Sequence, residues 1–144
     1  MTDVSAEIAK RSITCFGTII IRLPHLSETV SSQLKNFLGL QIAYVTTETI
    51  KVLKDVLRKY PDFVNEFVPL ICRVQTDQII ENDGKIAFVW ILGEFGHFIE
   101  DSPYILEKMA EESKEVNNSE LSSAMFISVF KLFFKRAPET KALL

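Results

Sequence analysis

Cysteine is scarce in this chain of 144 residues: there are two, Cys15 and Cys72, both inside apolar helical patterns. Such spacing argues against a disulfide, and two thiols without nearby histidines make no zinc site. They read as small buried thiols in a cytosolic protein. Glycine and proline number five each, too few for a disordered chain or a turn-rich β-protein. No hydrophobic run is long. The block Ile86-Ala87-Phe88-Val89-Trp90-Ile91-Leu92 falls far short of the roughly 20 residues a membrane span needs. The opening Met1-Thr2-Asp3-Val4-Ser5 has no basic region leading into an apolar stretch, so it is no signal peptide. Excess charge is missing too. A formal charge of −3 gives no overall attraction to nucleic acid or anionic lipid and leaves only a local patch open. What is present is apolar side chain, 47% of residues, enough for the core of a single unit spanning 1–144.

Proline punctuates that apolar sequence. Ile-Arg-Leu-Pro24, Lys-Tyr-Pro61, Asp-Ser-Pro103 and Arg-Ala-Pro138 stand 37, 42 and 35 residues apart. Units of about 35–47 residues built from helix pairs mark an α-solenoid of the HEAT or armadillo kind. Counted back from the prolines, Ile13/Phe16/Ile20, Ile50/Leu53/Leu57 and Ile127/Phe130/Phe134 fall in the same register, and all nine are large and apolar. The third unit breaks the register, and aligning Gly93 with Gly17 restores it with Pro103 three residues late. An ordinary helical bundle is the alternative to an all-α solenoid of stacked pairs.

The apolar periodicity predicts seven or eight helices. The first covers Ser5 to Arg22. The second covers Ser27 to Leu38 and is stopped by Gly39 acting as a C′ residue. The third runs from Ile42 to Tyr60. The fourth runs from Asp62 to about Val74, with Pro69 expected to kink or restart it. The fifth, Asp83 to Phe98, is apolar nearly all round and is expected to be the most buried. Its Trp90, Gly93 and Gly96 suggest close packing; Trp90→Ala should cost about 3–5 kcal/mol. The sixth opens with Ser102 as cap and Pro103 at the first helical position, and continues to about Lys114. After a polar break at Asn117-Asn118-Ser119, the seventh runs to Arg136, with Phe126 or Ile127, Phe130, Phe133 and Phe134 inward. An eighth begins at Pro138-Glu139. The eleven phenylalanines read mostly as core. Leu143-Leu144 carry no stop signal, so the chain reads as cut from a longer protein, with exposed apolar surface at one or both ends.

No catalytic constellation emerges. Glu94 and His97 share a helical face, but the only other histidine, His25, lies in a different unit, and a helix-end histidine is the plainer reading. There is no glycine-rich phosphate loop, and no cofactor is called for. Lys51, Lys54 and Arg58 lie on one face at steps of 3 and 4. They are the candidate basic surface patch, suited to phosphoinositide head groups or an acidic protein surface. The favoured reading is a solvated face, with Glu48 and Asp55 interleaved. Glu107, Glu111, Glu112 and Glu115 read likewise as solvated surface.

The stretch Gly84-Lys85-Ile86-Ala87-Phe88-Val89-Trp90-Ile91-Leu92-Gly93-Glu94-Phe95 resembles the AxxWxxGEY helix of the beta-adaptins, large subunits of clathrin-type adaptor complexes. Phe133 to Thr140 is similar to that family's KLFLKxPxET segment. Thr2-Asp3-Val4 with Ile13-Thr14-Cys15-Phe16-Gly17 is similar to its TDV…AIG stretch. Within the family, Asp101-Ser102-Pro103-Tyr104-Ile105-Leu106-Glu107 resembles the APYVLE form of the fourth adaptor complex. Phe95 and His97 depart from the common pattern.

The resemblance implies a piece of the N-terminal trunk, an α-solenoid without enzymatic activity. It implies partners in a second large, a medium and a small subunit, which together sort cargo into vesicles. For the fourth complex it implies a peripheral place on trans-Golgi network membranes. The rivals are a solenoid of another class, either a different coat scaffold or a nuclear-transport receptor, and a small helical enzyme.

Overall fold

A computed structural model describes residues 4–113 and 118–136. Every element among them is helical: α1 (Val4–Arg22), α2 (Ser27–Gly39), α3 (Ala43–Lys59), α4 (Val64–Ile71), α5 (Asn82–Phe95), α6 (Ser102–Ser113) and α7 (Ser119–Lys135), joined by short 3-10 turns. The fold class is all-α, of the helical-repeat solenoid kind. The eighth helix expected from Pro138 lies outside the described residues, as does Glu115 of the acidic run.

The chain divides into two compact units, the first ending at Gly84 and the second beginning at Lys85. In the first unit α1 lies along α3, α2 packs against both, and α4 packs on α2. Its core is Ile13, Ile20, Leu34, Ile50, Leu53, Val56, Leu57, Phe67 and Ile71, all buried. Gly17 makes the α1–α3 approach possible. A Cβ there would sit 2.4 Å from Val52 Cγ1, inside any tolerable contact.

The second unit repeats that device 76 residues on. A Cβ on Gly93 would sit 2.7 Å from the Cα of Ser128, bringing α5 against α7 (93 − 17 and 128 − 52 are both 76). The burial pattern repeats at the same offset: Val45, Thr49, Val52 and Val56 of α3 become Leu121, Met125, Ser128 and Leu132 of α7, all buried. The lysine that ends each helix repeats at that offset, although its acceptor does not: Lys59 at the end of α3 donates to the Ile21 carbonyl at 2.6 Å, and Lys135 at the end of α7 donates to the Glu94 carbonyl, 73 residues on. In each case a cation meets the negative, carbonyl end of the neighbouring helix.

Several expectations are corrected. In α7, Phe126, Ile127, Phe130 and Phe134 are exposed and Phe133 is intermediate. Counting from prolines places α7 at 77 residues from α3, whereas packing places it at 76. One residue on a helix is about 100° of rotation, so the apolar triplet points away from the seam. Only Phe67 and Phe88 among the phenylalanines are fully buried. Cys15 and Cys72 are exposed, not buried. Cys15 lies off the Ile13/Gly17/Ile20 seam, and Cys72 lies just past the end of α4. Gly39 remains helical, and the left-handed backbone falls instead on Gln41, φ 54°.

The segment after Pro61 begins as a 3-10 turn. Helix α4 then runs through Pro69 and ends at Ile71, short of Val74. Ser102 is itself the first residue of α6, one position inside the expected cap, and its hydroxyl donates to the Gly96 carbonyl at 2.8 Å. The cap that sequence reading missed is Asn118, whose Oδ1 accepts from the backbone N–H groups of Glu120 and Leu121 at 3.0 and 3.1 Å. The fifth helix has no exposed residue from Gly84 to Phe95, as its composition requires. Trp90 is nonetheless only half-buried, edge-on to Phe95 at 6.1 Å.

Candidate interaction surfaces

The outer side of α3 carries the expected basic stripe, and the structure separates its members. Lys51 Nζ lies 2.9 Å from Glu48 Oε2 and 3.5 Å from Glu81 Oε2. Glu48 is buried, and its other oxygen accepts from the Thr14 hydroxyl at 2.8 Å. Lys10 closes the group by pairing with Glu81. The result is a linked polar seam tying α1, α3 and the segment before α5. Its charges shift accordingly. The hydrogen bond from Lys10 holds the Glu81 carboxyl below its ordinary range, against burial, with Lys51 assisting. The same bond raises Lys10. Burial pulls Lys51 down, but the hydrogen bond and charge of Glu48 outweigh it and leave the group raised. Lys54 lies 3.6 Å from Asp55, and Arg58 is exposed. The three cations thus share a helix face, but only Lys54 and Arg58 stand outside the seam.

A second ion pair joins α2 and α4. Glu66 Oε2 accepts from Lys35 at 2.6 Å and from the Ser31 hydroxyl at 3.3 Å. The Lys35 hydrogen bond holds the Glu66 carboxyl low.

In the second unit Glu94 does not meet His97. It pairs with Lys131 of α7, while His97 is exposed beside the Phe98 ring at 4.0 Å. Partial burial, then the charge of Lys135, pushes the His97 imidazole below its ordinary value. Arg136 donates to the carbonyls of Ile99 and Glu100 at 2.9 and 3.1 Å. Among the described residues no group of three histidine, cysteine or carboxylate side chains is placed to hold a metal. No helix among them is long and apolar enough to cross a membrane. A groove of about 240 Å³ between α6 and α7 is lined by Leu106, Ala110, Met125, Phe126 and Val129 among others, and among the described residues no titratable side chain lines it.

Paired helices and interlocked glycines define a helical-repeat fold. Its relatives have names. The chain is 34% identical over 139 residues, 96% of its length, to "Beta-adaptin-like protein A" of Arabidopsis thaliana. It is 26% identical over 142 residues, 99% of its length, to "AP-1 complex subunit beta-1" of Homo sapiens. It is 30% identical over 105 residues, 73% of its length, to "AP-2 complex subunit beta" of Schizosaccharomyces pombe. It is therefore homologous to beta-adaptins over nearly its whole length. It spans about one-sixth of these relatives, 15–16% of each. No family model matches the chain.

Proposed function

We propose that this chain is a scaffold segment of an adaptor-complex beta subunit, serving subunit assembly in vesicle-mediated protein transport. The observation that carries the reading is similarity to beta subunits over 96–99% of the chain, joined to a helical-repeat fold. Its work is mechanical: stacked pairs bury a core and present faces to a second large, a medium and a small chain, with no catalysis. The APYVLE-like wording at Asp101–Glu107 supports the fourth complex and, through it, a peripheral place on trans-Golgi network membranes. Affinity isolation of the full-length protein from cytosol tests this by identifying the medium chain that accompanies it. A medium chain of the fourth complex is expected. That of another complex would refute the finer assignment, and nuclear-import or unrelated coat proteins in its place would refute the adaptin reading.

Lys51, Lys54 and Arg58 are, in this reading, solvated surface, because Lys51 is held by Glu48 and Glu81 and Lys54 lies beside Asp55. Phosphoinositide vesicles should sediment the wild-type chain and the Lys54→Glu/Arg58→Glu variant equally. A selective loss in the variant would restore the patch as a lipid site.

A further inference from the structure

The groove between α6 and α7 is a surface whose counterpart the first unit buries. At the offset of 76 residues fixed by the two glycine contacts, Phe126, Val129 and Phe133 of α7 correspond to Ile50, Leu53 and Leu57 of α3. Ala110 of α6 corresponds to Leu34 of α2. Ile50, Leu53, Leu57 and Leu34 are all fully buried. Their counterparts are less covered: Phe126 is 64% exposed, and Val129, Phe133 and Ala110 are half-buried. What the first unit has there, and the described residues of the second do not, is the next stretch of chain. The turn Pro61–Phe63 packs on α3, and α4 packs on α2. Phe67 of α4 is fully buried, with the Lys35 ammonium of α2 lying 5.8 Å from its ring centre.

We propose that the segment following α7, 137–144, docks in the α6–α7 groove as the counterpart of that turn and α4. These residues lie outside the described ones, and their sequence carries the argument. Phe67 corresponds to Leu143 at an offset of 76, and to Leu144 at 77, the offset that matches Pro138 with Pro61. Leucine stands there in either register, so the apolar residue needed to cover Phe126 and Val129 is present whichever holds. The groove suits it, since its lining is apolar apart from Ser113 and Ser122. Docking takes that apolar surface out of water. The groove is then a seam within the chain, not a pocket for a small molecule or a face for another protein.

Thiol reactivity of the 144-residue chain tests this. In a Cys15→Ser/Cys72→Ser background, Leu143→Cys and Leu144→Cys are made separately, with Lys108→Cys, exposed on α6, as the reference. Reaction with N-ethylmaleimide should be slower than the reference by about tenfold or more at whichever of the two takes the place of Phe67, the factor that burying one apolar side chain supplies. Ala110→Arg and Phe126→Arg, each added to the slowed variant, should bring the rate back to the reference by placing a cation in the groove. Phe126 is exposed, so arginine there is compatible with the helix, and circular dichroism checks that helix content is retained. Two cysteines that both react at the reference rate would overturn the proposal. So would a slowing that neither arginine relieves, because the segment would then be covered somewhere else.

Discussion

Gly93 and Gly39 show what a single residue contributes here, with opposite expectations for the same change. A methyl group on Gly93 meets the backbone of Ser128, which cannot swing aside, so Gly93→Ala should destabilise the chain by about 1–3 kcal/mol. A methyl group on Gly39 meets nothing within 4 Å, and the backbone there is helical. Gly39→Ala should therefore stabilise by about 0.4–1 kcal/mol, chiefly by stiffening the unfolded chain. Urea midpoints of the two variants check both signs. Trp90→Ala belongs with them. Half-burial lowers its expected cost from the enclosed-core range to about 2 kcal/mol. Gly93 was legible as a close-packing residue because it interrupts apolar helical sequence, whereas Gly39 read as a helix stop and Gly17 only as its counterpart in register, and the packing partners were not legible. Val52 and Ser128 become neighbours only when helices are placed side by side.

At the scale of elements, sequence read the helices well and their faces less well. The ends of α1, α3 and α7 fall within a residue or two of expectation, since apolar periodicity and proline punctuation act locally. The buried face of α7 was missed because Pro138 stands one residue out of step with the helix packing, and one residue turns every side chain by about 100°. The Asn118 cap was legible in kind: asparagine before a serine-rich helix start is a common cap. Asn118→Ala should cost about 1 kcal/mol and lower the thermal midpoint without altering helix content in the first unit.

The seam joining α1, α3 and the segment before α5 makes a prediction of its own. Glu81 has a depressed pKa when folded, so its contribution is complete above the ordinary carboxylate value of 4.5 and is lost as pH falls through the lower folded value. Lys10 and Lys51 are raised above 10.5, so theirs is complete below that value and is lost only as pH rises through the higher folded values. Stability should be flat through neutrality and fall in acid, and Glu81→Gln should remove part of the acid-limb slope. An identical acid limb in the variant would show that the seam contributes nothing.

For the whole molecule the sequence was most informative about class. Scarce glycine, proline and cysteine with helical periodicity point to stacked helix pairs, and the described residues are built of them. The candidate basic patch was legible only as a stripe. That Lys51 turns to Glu48 and Glu81 depends on Glu81, thirty positions along the chain and unpredictable from helix phase alone. If assembly is the function, disturbing the stacking of the second unit must disturb the complex. The most direct measurement is affinity isolation of the full-length protein, wild-type against Gly93→Arg, with the other adaptor subunits quantified by mass spectrometry at matched bait levels. The expected result is stoichiometric large, medium and small chains with the wild-type and a marked loss of one or more with the variant. Equal recovery of all three with Gly93→Arg, or recovery of none with the wild-type, would contradict a scaffold role for this segment.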